Sequence, residues 1–167
     1  MISQNGSVDV VGLGPFWDGL KDVWADPSDE NKAKIKYLLS PEAIKSQYTT
    51  GEKHPETIPP ETYTLDSFLV SRPGQEEIQL GLFADYRHNV ELYPKWQKWL
   101  TDYQPPTLAV WGKNDEIFVP PGAEAFRKYV KKAEVVLIED GGHFVLENHA
   151  DEVVGHIRAF AHKHKLC

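Results

Sequence analysis

Two short segments hold the residues best suited to do chemistry in this chain. Trp111-Gly112-Lys113-Asn114-Asp115 presents a carboxylate, and Gly141-Gly142-His143-Phe144 presents an imidazole 28 positions later. A histidine titrates near neutral pH and can act as a general base, while a carboxylate beside it selects one ring tautomer and stabilises the imidazolium. Each segment follows a short apolar run. Thr107 to Trp111 is bounded by Pro105-Pro106 and Gly112, and Val135 to Ile138 is closed by Asp140-Gly141-Gly142. Runs of this kind, separated by a helical segment, suit parallel strands buried on both faces. In such sheets ligand chemistry collects beyond the carboxyl ends of the strands. Acid and histidine therefore emerge at one end of one sheet. Each has a plainer alternative. His143 could be a loop histidine bonded only to backbone, and Asp115 a turn residue beside Asn114. Asp140 competes as the acid, but it shares the loop of His143 and ranks below Asp115.

With these residues in view, the chain resembles the C-terminal half of an α/β-hydrolase, in the branch of epoxide hydrolases, haloalkane dehalogenases and related esterases. The resemblance places Asp115 as the triad acid after the seventh strand and His143 as the triad histidine after the eighth. It places Met1 to Gly6 as the sixth strand and its exit, and the segment through about Gln104 as a helical cap. The implied fold class is α/β, a partial hydrolase fold with a three-stranded parallel sheet, flanking helices and the cap. The implied organisation is 1–14 as sixth-strand segment, 15–104 as cap and 105–167 as the core with the acid and histidine loops. The family's nucleophile sits on an elbow such as G-x-S-x-G. Neither that pattern nor G-x-D-x-G occurs in these 167 residues. The resemblance puts the elbow before Met1, so the chain alone is expected to be inactive.

The elements that must position the two loops carry visible signals. Asp26-Pro27 and Ser40-Pro41 read as N-caps with proline at the first helical position. Pro60 to Val70 reads as a helix ended by Arg72-Pro73-Gly74. Ile78, Leu82, Phe83, Tyr86 and Val90 recur at helical spacing, and Tyr93-Pro94 reads as the start of a further helix with Trp96, Trp99 and Leu100. Gly122 to Val130 reads as the crossover helix. The final helix opens at Asp151-Glu152, with Val153, Ile157, Phe160 and Ala161 as its buried stripe.

Five Trp, seven Tyr and seven Phe suit a cap over an apolar cavity. By the resemblance, cap aromatics hold or polarise the substrate. The candidates are Tyr48, Tyr86, Tyr93 and Trp17, with Trp96 and His88 behind them; each also reads as ordinary core. Phe118 and Phe144, next to the acid and the histidine, are expected to line the apolar cavity. A formal charge of −7 argues against nucleic acid or an anionic membrane surface. His149, His156, His162 and His164 lack a companion cluster of ligands, so no metal site is expected there, and the resemblance implies chemistry that needs no metal or organic cofactor. The lone Cys167 and the lack of a long apolar stretch lead to the expectation of a cytoplasmic protein. The partners expected are a small apolar substrate or ligand, and either a second copy or a complementary N-terminal half at the sixth-strand edge. A non-catalytic module that binds a ligand or a protein remains the alternative.

Overall fold

A computed structural model describes residues 1–166 of the chain; Cys167, and the reading placed on it, lie outside the described residues. Three strands, β1 (Ile2–Gln4), β2 (Leu108–Gly112) and β3 (Glu134–Ile138), form one parallel sheet in the order β1-β2-β3. Ile2 pairs with Leu108, and Leu108 with Glu134. The alternation of side chains along β2 explains its unbroken apolar run. Ala109 and Trp111 point to one face and pack with Leu100, Ala123, Phe126 and Val130. Leu108 and Val110 point to the other and pack with Ile138, Val145, Val153 and Phe160. Burial of each such Leu or Val contributes about 1.5–3 kcal/mol.

The helices between β1 and β2 are α1 (Asp18–Ala25), α2 (Asp29–Lys34), α3 (Pro41–Thr49), α4 (Pro60–Val70), α5 (Gln75–Asp85) and α6 (Arg87–Tyr103). After β2 come α7 (Pro121–Tyr129), β3, α8 (Val145–Asn148) and α9 (Ala150–Lys163). Ser40 caps α3 by accepting the Ala43 N–H at 3.1 Å, with Pro41 at the first helical position. Helix α4 has the bounds its sequence suggests.

Three local expectations are corrected. Asp26 does not cap a helix. Its N–H closes α1, its carboxylate accepts the Ser28 N–H, and Ser28 caps α2 instead. Two competing cap residues two positions apart left the choice to packing. Tyr93-Pro94 starts no new helix. Pro94 lies inside α6, and the break falls at Tyr86. The buried stripe of Tyr93 and Leu100, seven residues apart, holds the helix through the missing N–H. Finally, α5 buries Leu80 and Ala84, and leaves Ile78 and Leu82 exposed. Its sequence offers apolar stripes on more than one face, so tertiary contact with α1 chose between them.

The exit of β1 is tied down by Asp9, a buried carboxylate. It accepts the Tyr129 hydroxyl at 2.6 Å, Lys128 Nζ at 3.3 Å and the Val11 N–H at 3.1 Å. Burial acts to raise the Asp9 carboxyl, but these three donors outweigh it and hold it below the ordinary value. The same carboxylate pushes the Tyr129 hydroxyl up to about 12, after burial itself. Because the folded pKa is depressed, this stabilisation is complete above the unfolded value of about 3.9 and is lost as pH falls through the folded value. Asp9→Asn is therefore expected to be destabilised at neutral pH. Its deficit against the parent in urea denaturation should shrink as pH drops below about 4. A deficit that does not change with pH would show that Asp9 acts as a neutral acceptor.

Candidate active site

The carboxyl ends of the three strands deliver three residues to one place. Asn5 follows β1, Asp115 follows β2 and His143 follows β3. The exits of β2 and β3 are stitched together. The Lys113 N–H donates to Ile138 O at 2.9 Å, and the Asn114 N–H to Gly141 O at 3.0 Å. This approach requires glycine: a Cβ on Gly112 would collide with the Gly142 and Gly141 carbonyl oxygens.

Asp115 is almost fully buried, at 2% exposure, so its charge has to be met by donors. Its Oδ1 accepts the Ile117 N–H at 2.8 Å and the Phe118 N–H at 3.0 Å. Its Oδ2 lies 2.6 Å from Asn5 Nδ2 and 3.0 Å from His143 Nδ1. The turn role weighed for Asp115 and its contact with His143 therefore coexist on different oxygens. A carboxylate can only accept here, so Nδ1 carries the ring proton and Nε2 keeps its lone pair. Among the described residues Nε2 has no hydrogen-bond partner. Asp140, the competing acid, is half-exposed and pairs with Lys53 at 3.1 Å.

Asn5 escaped the sequence reading. Its backbone is left-handed (φ 46°), a conformation asparagine tolerates, and this turns its side chain back into the site. It also donates to Gly142 O at 3.3 Å, and its own Oδ1 is buried without a partner. The amide cannot be turned over, because its oxygen would then face the Asp115 carboxylate. The turn-prone Asn5-Gly6 pair at the exit of the first strand was the available signal.

Comparison with known proteins fits this geometry. Residues 72–150, which include Asp115 and His143, match a family described as alpha/beta hydrolase fold. An uncharacterized hydrolase of Saccharomyces cerevisiae is 43% identical over 162 residues, covering 92% of this chain and 56% of the relative. A 2-hydroxy-6-oxo-6-phenylhexa-2,4-dienoate hydrolase from a Rhodococcus species superposes with a TM-score of 0.61 at 17% identity, over 95% of this chain and 53% of that one. The chain has the α/β-hydrolase fold. A meta-cleavage product hydrolase from Pseudomonas fluorescens shares the fold at a TM-score of 0.58 and 15% identity, over 98% of this chain and 55% of that protein. The chain thus spans about half the length of these proteins.

Beside the dyad lies a cavity of about 780 Å³. His143 and Asp115 form part of its wall, with Phe16, Leu38, Ile117 and Val119 supplying apolar surface. None of the six aromatic candidates lines it. Trp17 is buried and donates Nε1–H to Ile117 O at 2.8 Å. The Tyr86 and Tyr93 hydroxyls lie 3.1 Å apart and bond to each other. Tyr48 donates to Asp66 at 2.5 Å. Burial, and in second place these hydroxyl contacts, push Tyr48 and Tyr93 far above the ordinary tyrosine value. Phe118 stacks on the His143 ring at 5.9 Å, and Phe144 meets it at 4.9 Å. These two hold the imidazole from behind rather than facing the cavity. The six candidates thus stand outside this cavity, although Tyr48 and Phe144 border a second one of about 440 Å³; large apolar rings are drawn first into the core. Of the secondary candidates, Trp96 packs on Tyr93 and His88 pairs with Asp85 at the exposed surface. Among the described residues no group of three or more His, Cys, Asp or Glu could hold a metal ion, and no helix is long and apolar enough to cross a membrane.

Asp115→Asn is expected to lose about 1–3 kcal/mol of stability, because an amide nitrogen then faces the Asn5 and His143 donors. His143 should answer by moving its proton to Nε2, which removes the base from the cavity side. Ring-nitrogen NMR of the variant checks the tautomer, and urea denaturation checks the stability.

Proposed function

We propose that Asp115 and His143 are the acid and base of a hydrolase that works through a covalent intermediate. His143 Nε2 activates water against that intermediate, and Asp115 holds the Nδ1 proton and stabilises the imidazolium. The single observation that carries the reading is the 3.0 Å contact between His143 Nδ1 and a carboxylate that is otherwise fully satisfied. The nucleophile comes from a segment these 167 residues do not include, since no elbow pattern lies within them. An aspartate there would direct the enzyme to epoxides or haloalkanes, the branch the sequence resembles, and a serine to esters. Relatives named lipase support the ester arm, the one from Psychrobacter immobilis at 35% identity over 63 residues. The substrate is small and apolar, in keeping with the cavity wall. The lone cysteine supports a reducing, cytoplasmic setting.

We further propose that β1 is the docking edge for the complementary half or for a second copy. Among the described residues it pairs with β2 alone, and its first residue, Ile2, is 41% exposed. The same exposed edge favours a second reading, a non-catalytic module acting through that edge or through its cavity.

Turnover of aryl esters, epoxides and haloalkanes separates the two readings. The purified chain is assayed alone and mixed with the segment of the yeast relative that it does not span. Activity is expected only in the mixture, and His143→Ala should lower kcat/KM by about 10²–10⁴-fold. Activity that survives in His143→Ala would refute the hydrolytic role of the histidine. Light scattering over a range of concentrations checks the edge. The isolated chain is expected to self-associate, and an unchanging monomer mass would count against β1 as a docking strand.

A further inference from the structure

Glu52 lies in the loop that leaves α3, and nothing in an acid–base dyad calls for it. Its side chain is only 1% exposed, so its charge must be met inside the protein. Three donors meet it, all from the segment after β3. Oε1 accepts the Gly142 N–H at 2.6 Å, while Oε2 accepts Asn148 Nδ2 at 3.2 Å and His149 Nε2–H at 3.0 Å. We propose that Glu52 is a positioning residue for His143, acting through the Gly142 peptide; the proposal rests on reading His143 as the general base.

Gly141-Gly142 is the segment of the histidine loop with the most backbone freedom. The dyad nonetheless needs the imidazole within hydrogen-bond reach of Asp115. The structure removes that freedom by gripping Gly142 at both of its peptide groups. Glu52 holds its N–H, and Asn5 Nδ2 holds its C=O at 3.3 Å. With both peptide planes fixed, His143 leaves Gly142 in one direction, toward Asp115.

The neighbours of Glu52 press its loop onto the same two strand exits. Asn114 Nδ2 donates to Gly51 O at 2.9 Å, and the Lys53 N–H donates to Asp140 O at 3.1 Å. Gly51 has a left-handed backbone (φ 84°), and a Cβ on it would strike the Asn114 carbonyl oxygen. A Cβ on Gly142 would strike the Thr50 carbonyl oxygen in the same way. Residues 50–53 thus form a strap from the cap across both the acid loop and the histidine loop, with Glu52 as its one buried anchor. Removing the carboxylate leaves the Gly142 N–H buried and unpaired, and the loop is free to reorient.

The test reads the histidine itself and does not depend on turnover. Ring-nitrogen and proton NMR of the purified chain follow His143, assigned by its loss in His143→Ala. The parent is expected to show a single Nδ1–H tautomer with a slowly exchanging proton held by Asp115. Glu52→Met fills the space but accepts nothing, and should lose that proton and mix the two tautomers. Glu52→Gln keeps an oxygen for the Gly142 N–H and should restore the parent signal. Val153→Ala loosens the core under α9 away from the loop, and should leave the signal intact, which separates positioning from general destabilisation. A folded Glu52→Met that keeps the parent signal, or a Val153→Ala that loses it, overturns the proposal. If Glu52→Met does not fold, the parent's Gly142 amide decides. Protection from exchange supports the anchor, and the exchange rate of a free loop amide overturns it. A parent lacking the Asp115-held proton removes the dyad, and the proposal with it. A parent that has the proton but shows no turnover even when mixed with the complementary segment of the yeast relative removes only the hydrolytic reading.

Discussion

The buried carboxylate of Asp115 is the interaction on which the rest of the site depends. Taking such a charge out of water costs several kcal/mol unless donors replace the water. Here the donors come from three distant parts of the chain: Asn5 after β1, the Ile117 and Phe118 amides, and His143 after β3. The two amides are local to Asp115, but Asn5 and His143 cannot be in place until the three strands are paired in register. Forming the sheet and forming the dyad are therefore one event. The glycines at 112 and 142 belong to the same constraint, since side chains there would hold the loops apart.

The helices between β1 and β2, which the resemblance reads as a cap, are fastened to this arrangement by the residues that follow the acid and the histidine. Ile117 and Phe118 join the cluster of Trp17, Leu20, Val23 and Leu80, and Phe144 joins that of Ile44, Tyr48 and Ile58. Each site loop thus ends in an apolar plug that inserts into a cap core. The strap around Glu52 adds a polar fastening between the same two bodies. Cap and sheet share hydrophobic cores here, so the position of the imidazole is coupled to the packing of helices distant from it in sequence. This also explains why the aromatic side chains turned inward. The rings that close the cap–sheet interface are not free to face a ligand as well.

The chain holds an imidazole and the carboxylate bonded to it, on a fold whose solved relatives are about twice its length. In hydrolysis through a covalent intermediate, the second step needs only an activated water and a partner for the imidazolium. Under the proposed function the geometry around His143 would meet both needs, and no elbow pattern for the initial attack occurs in these 167 residues. The three-residue β1, Ile2-Ser3-Gln4, pairs among the described residues with β2 alone and is the edge proposed above for docking.

Much of this architecture was legible in the sequence, because it rests on local patterns. The unbroken apolar runs marked β2 and β3 as strands covered on both faces, and the order of elements implied a parallel sheet with both loops at one end. Ser40-Pro41 and the span from Pro60 to Val70 carried their own helix signals. Local patterns could not choose the buried face of α5, whose apolar residues allow more than one stripe, or show that α6 runs through Pro94. Nor could they reveal Asn5 and Glu52. Their partners lie 110 and 90 positions away, and neither residue differs in type from an ordinary turn or surface residue. What distinguishes them is the low-dielectric space that other segments close around them. There a single polar contact fixes geometry that in water it would not.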